Sequence, residues 1–181
     1  MTELLWIRFK TLIWFLALPL WFLGWLPWWL SLHLEGPFVW RGSAGQWIGL
    51  WLILDGLGLA GWCIQLFNVK GRGTPLPLDP PKQFVAAGPY RFVRNPMMLG
   101  FFLLLAGEAA LFGSVVVALY LLLVMGLAHL FVVFVEEPGL EKRFGPSYTA
   151  YTQQVPRWIP RSGGELISVI SQILERFRRL R

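Results

Sequence analysis

The sequence predicts an all-α integral membrane protein. About four transmembrane helices are expected, with a long cytosolic loop ahead of the last helix pair and a C-terminal amphipathic helix at the membrane interface. Three observations predict it. Of the 181 residues, 56% are hydrophobic, 11 are Trp, and mean hydropathy is +0.56, more apolar surface than a soluble domain of this size needs. Several apolar stretches approach the length of about 20 residues that crosses a bilayer. Four spans would also place 15 of the 16 Lys and Arg on one side, leaving only Arg41 on the other. The positive-inside rule makes that side cytoplasmic, with both termini there. We read one membrane domain over 1–181: a first helix pair (1–67), a core (68–161) and a terminal amphipathic helix (162–181).

The first segment runs from about Leu12 to Leu32. Arg8 and Lys10 precede it as in a signal peptide, but the apolar run is too long and no small-residue cleavage site follows. An uncleaved helix is expected, with Pro19 and Pro27 as kink sites that neighbouring groups can satisfy. Trp21, Trp25, Trp28 and Trp29 crowd its far end, where an aromatic belt lies. A polar link with His33, Glu35, Gly36, Pro37 and Arg41 leads into the second segment, Ala44 to Phe67. There Gly56-Leu57-Gly58-Leu59-Ala60-Gly61 spells G-x-G-x-x-G. No strand precedes it and it lies midway along an apolar run, so a dinucleotide site is rejected. These glycines, with Gly45 and Gly49, are expected to admit a close helix neighbour, and such small-residue faces also permit a homodimer. Asp55, near the middle, reads either as a functional carboxyl or as a locally bonded one facing the bundle.

The connector Asn68 to Asn95 holds Pro75, Pro77, Pro80 and Pro81, which favour an extended course. Lys70, Arg72, Lys82, Arg91 and Arg94 make it basic. It ends in Gly88-Pro-Tyr-Arg-Phe-Val-Arg-Asn-Pro-Met-Met-Leu-Gly100, where a cationic loop becomes an apolar helix. Proline at a first helical turn gives up an N–H that has no partner, so a helix should start at Pro96. Its first amides, beside Arg91 and Arg94, suit an anion such as a carboxylate. The plainer reading of the same residues is a positively charged membrane boundary. Segment three, Met97 to Phe112, should turn at Gly113-Ser114 into segment four, Val115 to Val135, as an antiparallel hairpin. Segment three carries Glu108. Segment four carries His129 and ends in Glu136-Glu137, with His129 and Glu136 seven residues apart on one helix face. From Gly164 to Arg181, apolar residues at helical spacing alternate with arginines, as in a helix that lies on a membrane.

The net charge of +6 is met by anionic lipid headgroups. No basic and aromatic platform for nucleic acid stands outside the apolar segments, so none is expected as a partner. Cys63, alone in an apolar stretch, excludes a disulfide framework and a cysteine metal site.

Three blocks resemble the isoprenylcysteine carboxyl methyltransferase and phospholipid methyltransferase superfamily of membrane enzymes. Residues 88–100 are similar to its G-x-Y-x-x-x-R-H-P-x-Y-x-G. Glu136-Glu137-Pro138-Gly139-Leu140 is similar to its E-E-x-x-L. Phe144-Gly145, Tyr148, Tyr151, Val155-Pro156 and Pro160 are similar to its F-G-x-x-Y-x-x-Y-x-x-x-V-P tail. The resemblance implies S-adenosyl-L-methionine as methyl donor, bound on the cytosolic side, and a lipophilic acceptor reached through the membrane lipids. It also implies the cofactor-binding residues: Lys82, Gln83, Phe84 and Val85 in the loop, Tyr90, Arg94, the Asn95, Pro96, Met97 and Met98 core, and Glu136. Two positions depart from the pattern. Asn95 stands for the family histidine and cannot titrate near neutral pH, and Met98 stands for a tyrosine. Leu130 and Phe134 occupy places where the eukaryotic prenylcysteine enzymes carry charged residues, which argues against a prenylcysteine carboxylate as substrate.

Methyl transfer from a sulfonium needs alignment and exclusion of water, and a base only where the acceptor is protonated. His129, Glu137 and Glu108 are the expected catalytic candidates. His129 reads equally as a packed, hydrogen-bonded helix residue. Two rival readings are an NADPH-dependent membrane reductase of the sterol reductase type, which shares an R-H-P-x-Y-like region, and a non-catalytic membrane scaffold on the same fold.

Overall fold

The computed structural model describes residues 20–71 and 84–160. The expected helix from Gly164 to Arg181, the first part of segment one, and residues 72–83 of the connector, Lys82 and Gln83 among them, lie outside those residues. Every regular element among the described residues is helical.

A π-helical turn, Trp21–Trp25, runs into α1, Leu26–Leu34. Helix α2, Ala44–Leu66, starts at a reciprocal cap. Ser43 Oγ accepts from the Gln46 amide, and Gln46 Oε1 accepts from the amides of Ser43 and Arg41. A second π turn, Phe67–Gly71, extends α2. A 3₁₀ turn, Gly88–Arg91, leads to α3, Pro96–Phe112, which starts at the expected proline. Gly113, at φ 65°, closes α3, and Ser114 Oγ caps α4, Val115–Phe131, by accepting from the Val117 amide. A third π turn, Val132–Glu136, joins α4 to α5, Glu137–Phe144, and α6 is Pro146–Gln154.

Two helices are long and apolar enough to cross a membrane, Ala44–Gly71 and Val115–Phe144, while the apolar Pro96–Phe112 is shorter. Sequence reading ends the last apolar helix at Val135 and leaves a polar tail. The observed helix continues to Phe144 and α6 follows. The physical reason lies in two prolines. Proline at position i lacks an N–H and crowds the carbonyl of residue i−4. For Pro27 and Pro138 those residues are Leu23 and Phe134, each at the centre of a π turn. The wider turn relieves the crowding and lets the helix run on. The expected kink at Pro27 takes this form.

Core packing pairs α2 with α3 more closely than α3 with α4, although the latter are joined by the expected tight turn. Glycines set this pairing. A Cβ on Gly49 would lie 2.6 Å from the Gly107 carbonyl oxygen, and one on Gly56 would lie 2.5 Å from that of Gly100. The reciprocal approaches, Gly107 to Gly49 and Gly100 to Gly56, are 2.6 and 2.9 Å. The two helices therefore run antiparallel with glycines facing at two levels, one heptad apart on each. Gly58 and Gly61 of the G-x-G-x-x-G string face open space, and Asp55 is exposed on α2.

The link after α1 folds over the turn between α3 and α4. Glu35 Oε1 accepts from the amides of Val115 and Val116, 2.9 and 3.1 Å away. A bond with Ser114, then these two amides, hold the Glu35 carboxyl below the usual carboxylate range, as expected for an acid at a helix N-terminus.

Candidate active site

At the other end of α3 the chain closes on itself. The loop before α3 descends from Phe84 and is fixed by Gly88, whose φ of 59° suits glycine and whose Cβ would lie 2.8 Å from Leu66. Val85 and Tyr90 bury against Cys63 of α2, with Met97 of α3 packed beside them. The Tyr90 hydroxyl bonds the Cys63 thiol, and burial, with Cys63 next, pushes its pKa up.

The tail after α6 then straps across this loop. The Arg94 amide donates to the Pro156 carbonyl at 2.8 Å, and the Asn95 side-chain amide donates to the Arg157 carbonyl at 3.2 Å. The Tyr151 hydroxyl donates to the Tyr90 carbonyl at 2.7 Å. Asn95 is thus a buried donor, a task that needs no titrating ring. Pro96 is fully buried at the helix start, and Met98 is half-buried.

The acidic pair divides in two. Glu137 is saturated: Arg157 reaches both its oxygens, through Nε and a terminal nitrogen at 2.8 Å each, and Arg94 adds a third bond at 2.9 Å. The bond to Glu137 raises the Arg157 pKa further. Glu136 has a buried Oε2 with no hydrogen-bond partner among the described residues, and Arg94 Nε is likewise buried and unpartnered. Aromatic rings line the same region. Phe84 packs on Phe144, Tyr148 and Tyr151 with centroids 4.9 to 5.8 Å apart. Burial, then the nearby Glu137 charge, pushes the Tyr148 hydroxyl up to about 12, and burial raises Tyr151 as well. Both phenols stay neutral donors at physiological pH.

The structure therefore brings together Phe84, Arg94, Asn95, Glu136, Glu137 and, about two turns up the same continuous helix, His129. The π turn changes which acid His129 meets. With one extra residue in the turn, Glu137 and not Glu136 comes near His129, as an i→i+5 turn rotates the helix by about one residue. Glu108 lies elsewhere. It is buried on α3 toward Tyr120, and twelve residues from Pro96 at 1.5 Å each set it about 18 Å along the helix axis. Val85, Tyr90 and Met97 form the packing beneath the site. Sequence reading did not single out Arg157 and Trp158. The available signal was a cation and an indole in a Val-Pro…Pro segment long enough to return to the acidic pair.

A family model described as phospholipid methyltransferase matches residues 44–147, which span α2 through α5 and the start of α6. The chain belongs to this family, within the superfamily that also holds the isoprenylcysteine enzymes. It is a family of methyltransferases, and the two long apolar helices accord with work at a membrane. No curated protein and no solved structure matches the chain.

Proposed function

We propose that this protein is an S-adenosyl-L-methionine-dependent methyltransferase acting on a lipophilic acceptor that reaches the site from the bilayer. The acceptor class that best suits the family and the apolar surroundings is the amine headgroup of a phospholipid. The observation that carries the reading is the pair of buried, unpartnered atoms, Glu136 Oε2 and Arg94 Nε, beside an aromatic wall. Buried polar groups are nearly always bonded, so an orphaned anion acceptor and an orphaned cation donor in one place suit a zwitterionic ligand.

Glu136 would receive the cationic amino group and Arg94 the carboxylate. Phe84, Tyr148 and Tyr151 offer π faces to an adenine and to a cation. When bound, S-adenosyl-L-methionine would supply the methyl: a headgroup amine that has given its proton to interfacial water before it enters the site forms the N–CH3 bond with its lone pair, and the S–CH3 pair returns to sulfur. The chain's own task is alignment and dryness. Glu137, tied to two arginines, holds loop and tail together and has no free oxygen for proton transfer. The strap from Pro156 to Trp158 covers the loop and keeps water out. We further place four spans in the membrane, with both termini, the loop and the strap cytosolic.

The test is thermal stability of the detergent-purified protein with S-adenosylhomocysteine, beside NADPH. A ligand at 100 times its dissociation constant stabilises by about 2.7 kcal/mol. A shift with S-adenosylhomocysteine that Glu136→Gln abolishes is the expected result. A shift with NADPH alone would favour the reductase reading. No shift with either, in protein whose circular dichroism is helical, would leave the scaffold reading.

A further inference from the structure

Trp158 stands between two helices. Its ring packs on the buried Phe102 of α3, centroids 5.7 Å apart, and tilts against His129 of α4 at 6.2 Å. Its indole Nε1 donates to His129 Nδ1 at 3.0 Å. An indole nitrogen is a donor only, so Nδ1 must accept. The ring then carries its proton on Nε2. His129 itself is exposed among the outward-facing Leu127, Leu130, Phe131 and Phe134, next to the Arg157–Glu137 pair.

We propose that His129 is a hydrogen-bond donor for an anionic oxygen of the incoming acceptor, and that Trp158 is the positioning residue that fixes it in this role. In this tautomer the free edge of the ring offers an N–H, so His129 cannot take a proton from the acceptor while the indole bond holds. This retires the general-base role expected for His129 and keeps the orienting one. The site then selects amphiphiles that carry an oxyanion near the nucleophile, such as a phosphodiester. The proposal rests on the methyltransferase reading for the meaning of "acceptor", but the hydrogen-bond assignment can be tested without turnover.

The experiment uses the full chain with His33→Gln, leaving His129 as its single histidine, in nanodiscs of neutral galactolipid. Long-range nitrogen–proton NMR reports which ring nitrogen carries the proton. The expected spectrum is that of the Nε2–H tautomer, converted to a tautomer mixture by Trp158→Phe. Adding phosphatidylethanolamine should shift the Nε2 resonance, whereas octadecylamine, an amine without phosphate, should not. An Nδ1–H tautomer, or an Nε2 resonance indifferent to phosphatidylethanolamine, overturns the proposal whether or not the protein binds S-adenosylhomocysteine.

Where methylation is measurable, a second readout applies. Removing a hydrogen bond to a charged group should raise KM for phosphatidylethanolamine about ten-fold or more in His129→Ala, with little change for octadecylamine. A glutamine can accept from the indole and donate to the oxyanion, so His129→Gln should restore most of the lost affinity. Equal loss of kcat in both variants would make His129 a base and overturn the proposal.

Discussion

Glu136 and Glu137 are chain neighbours with opposite surroundings, and the difference decides what each can do. Glu137 spends both oxygens on Arg94 and Arg157, a forked geometry that favours arginine over lysine. Arg157→Ala should therefore lower stability by about 1–2 kcal/mol. Bonds to charged groups contribute about 1.5–3 kcal/mol when buried, and the 30% exposure of the Arg157 side chain reduces this. Glu137→Ala should cost more, because two arginines then face each other across the vacated site. A double-mutant cycle on thermal or denaturant stability checks both, and additive losses would show that the pair does not couple. The local half of this site was legible in the sequence: Arg94-Asn95-Pro96 and the acidic pair sit in short motifs whose chemistry is readable in place. The partners were not legible, because Arg157 reaches Glu137 across 20 residues and its carbonyl meets Asn95 across 62. Only the path of the tail decides such contacts.

At the scale of the elements, the α2–α3 pair depends on where its glycines face. A methyl added at Gly56 or Gly107 would meet backbone within 2.6 Å, and backbone cannot rotate away. Gly56→Ala and Gly107→Ala should each destabilise by about 1–3 kcal/mol, the usual cost of overpacking. Gly58→Ala, which meets open space, should be neutral or stabilising by up to about 1 kcal/mol through helix propensity. Melting temperatures of the three variants settle it, and equal losses in all three would sink the argument. Helix starts were legible here because such signals are local: Pro96 and Gly113-Ser114 act where sequence places them, and α2 starts at the expected Ala44, where Ser43 with Gln46 supplies the cap. That small residues in α2 would meet a helix was legible too. Which of them do so was not, since a stripe of glycines does not say which face the neighbour takes. The π turns were missed for a different reason. For the turns at Trp21–Trp25 and Val132–Glu136 the cause, a proline two residues beyond, is visible in the sequence, but whether a helix breaks or widens depends on the packing that holds it.

At the scale of the whole molecule, the distribution of charge and the proposed four spans make a claim about sidedness. With Cys63→Ser as background, a cysteine at position 142 should react with a membrane-impermeant maleimide from the cytosolic side only. A cysteine at position 40 should react from the opposite side only. Labelling of both from one face would refute the topology. Both positions are exposed in the structure, so reactivity reports location and not burial. The facing glycines carry one further consequence. They act as notches in two rulers laid edge to edge: a slide by one turn would set Gly56 or Gly107 against a bulky side chain. The pair therefore admits one setting. Arg94 and Asn95 directly precede α3, so the notches fix how far the loop that carries them stands along α2. In a thicker or thinner membrane the two helices must tilt as one piece, and the height of the loop relative to α2 stays the same.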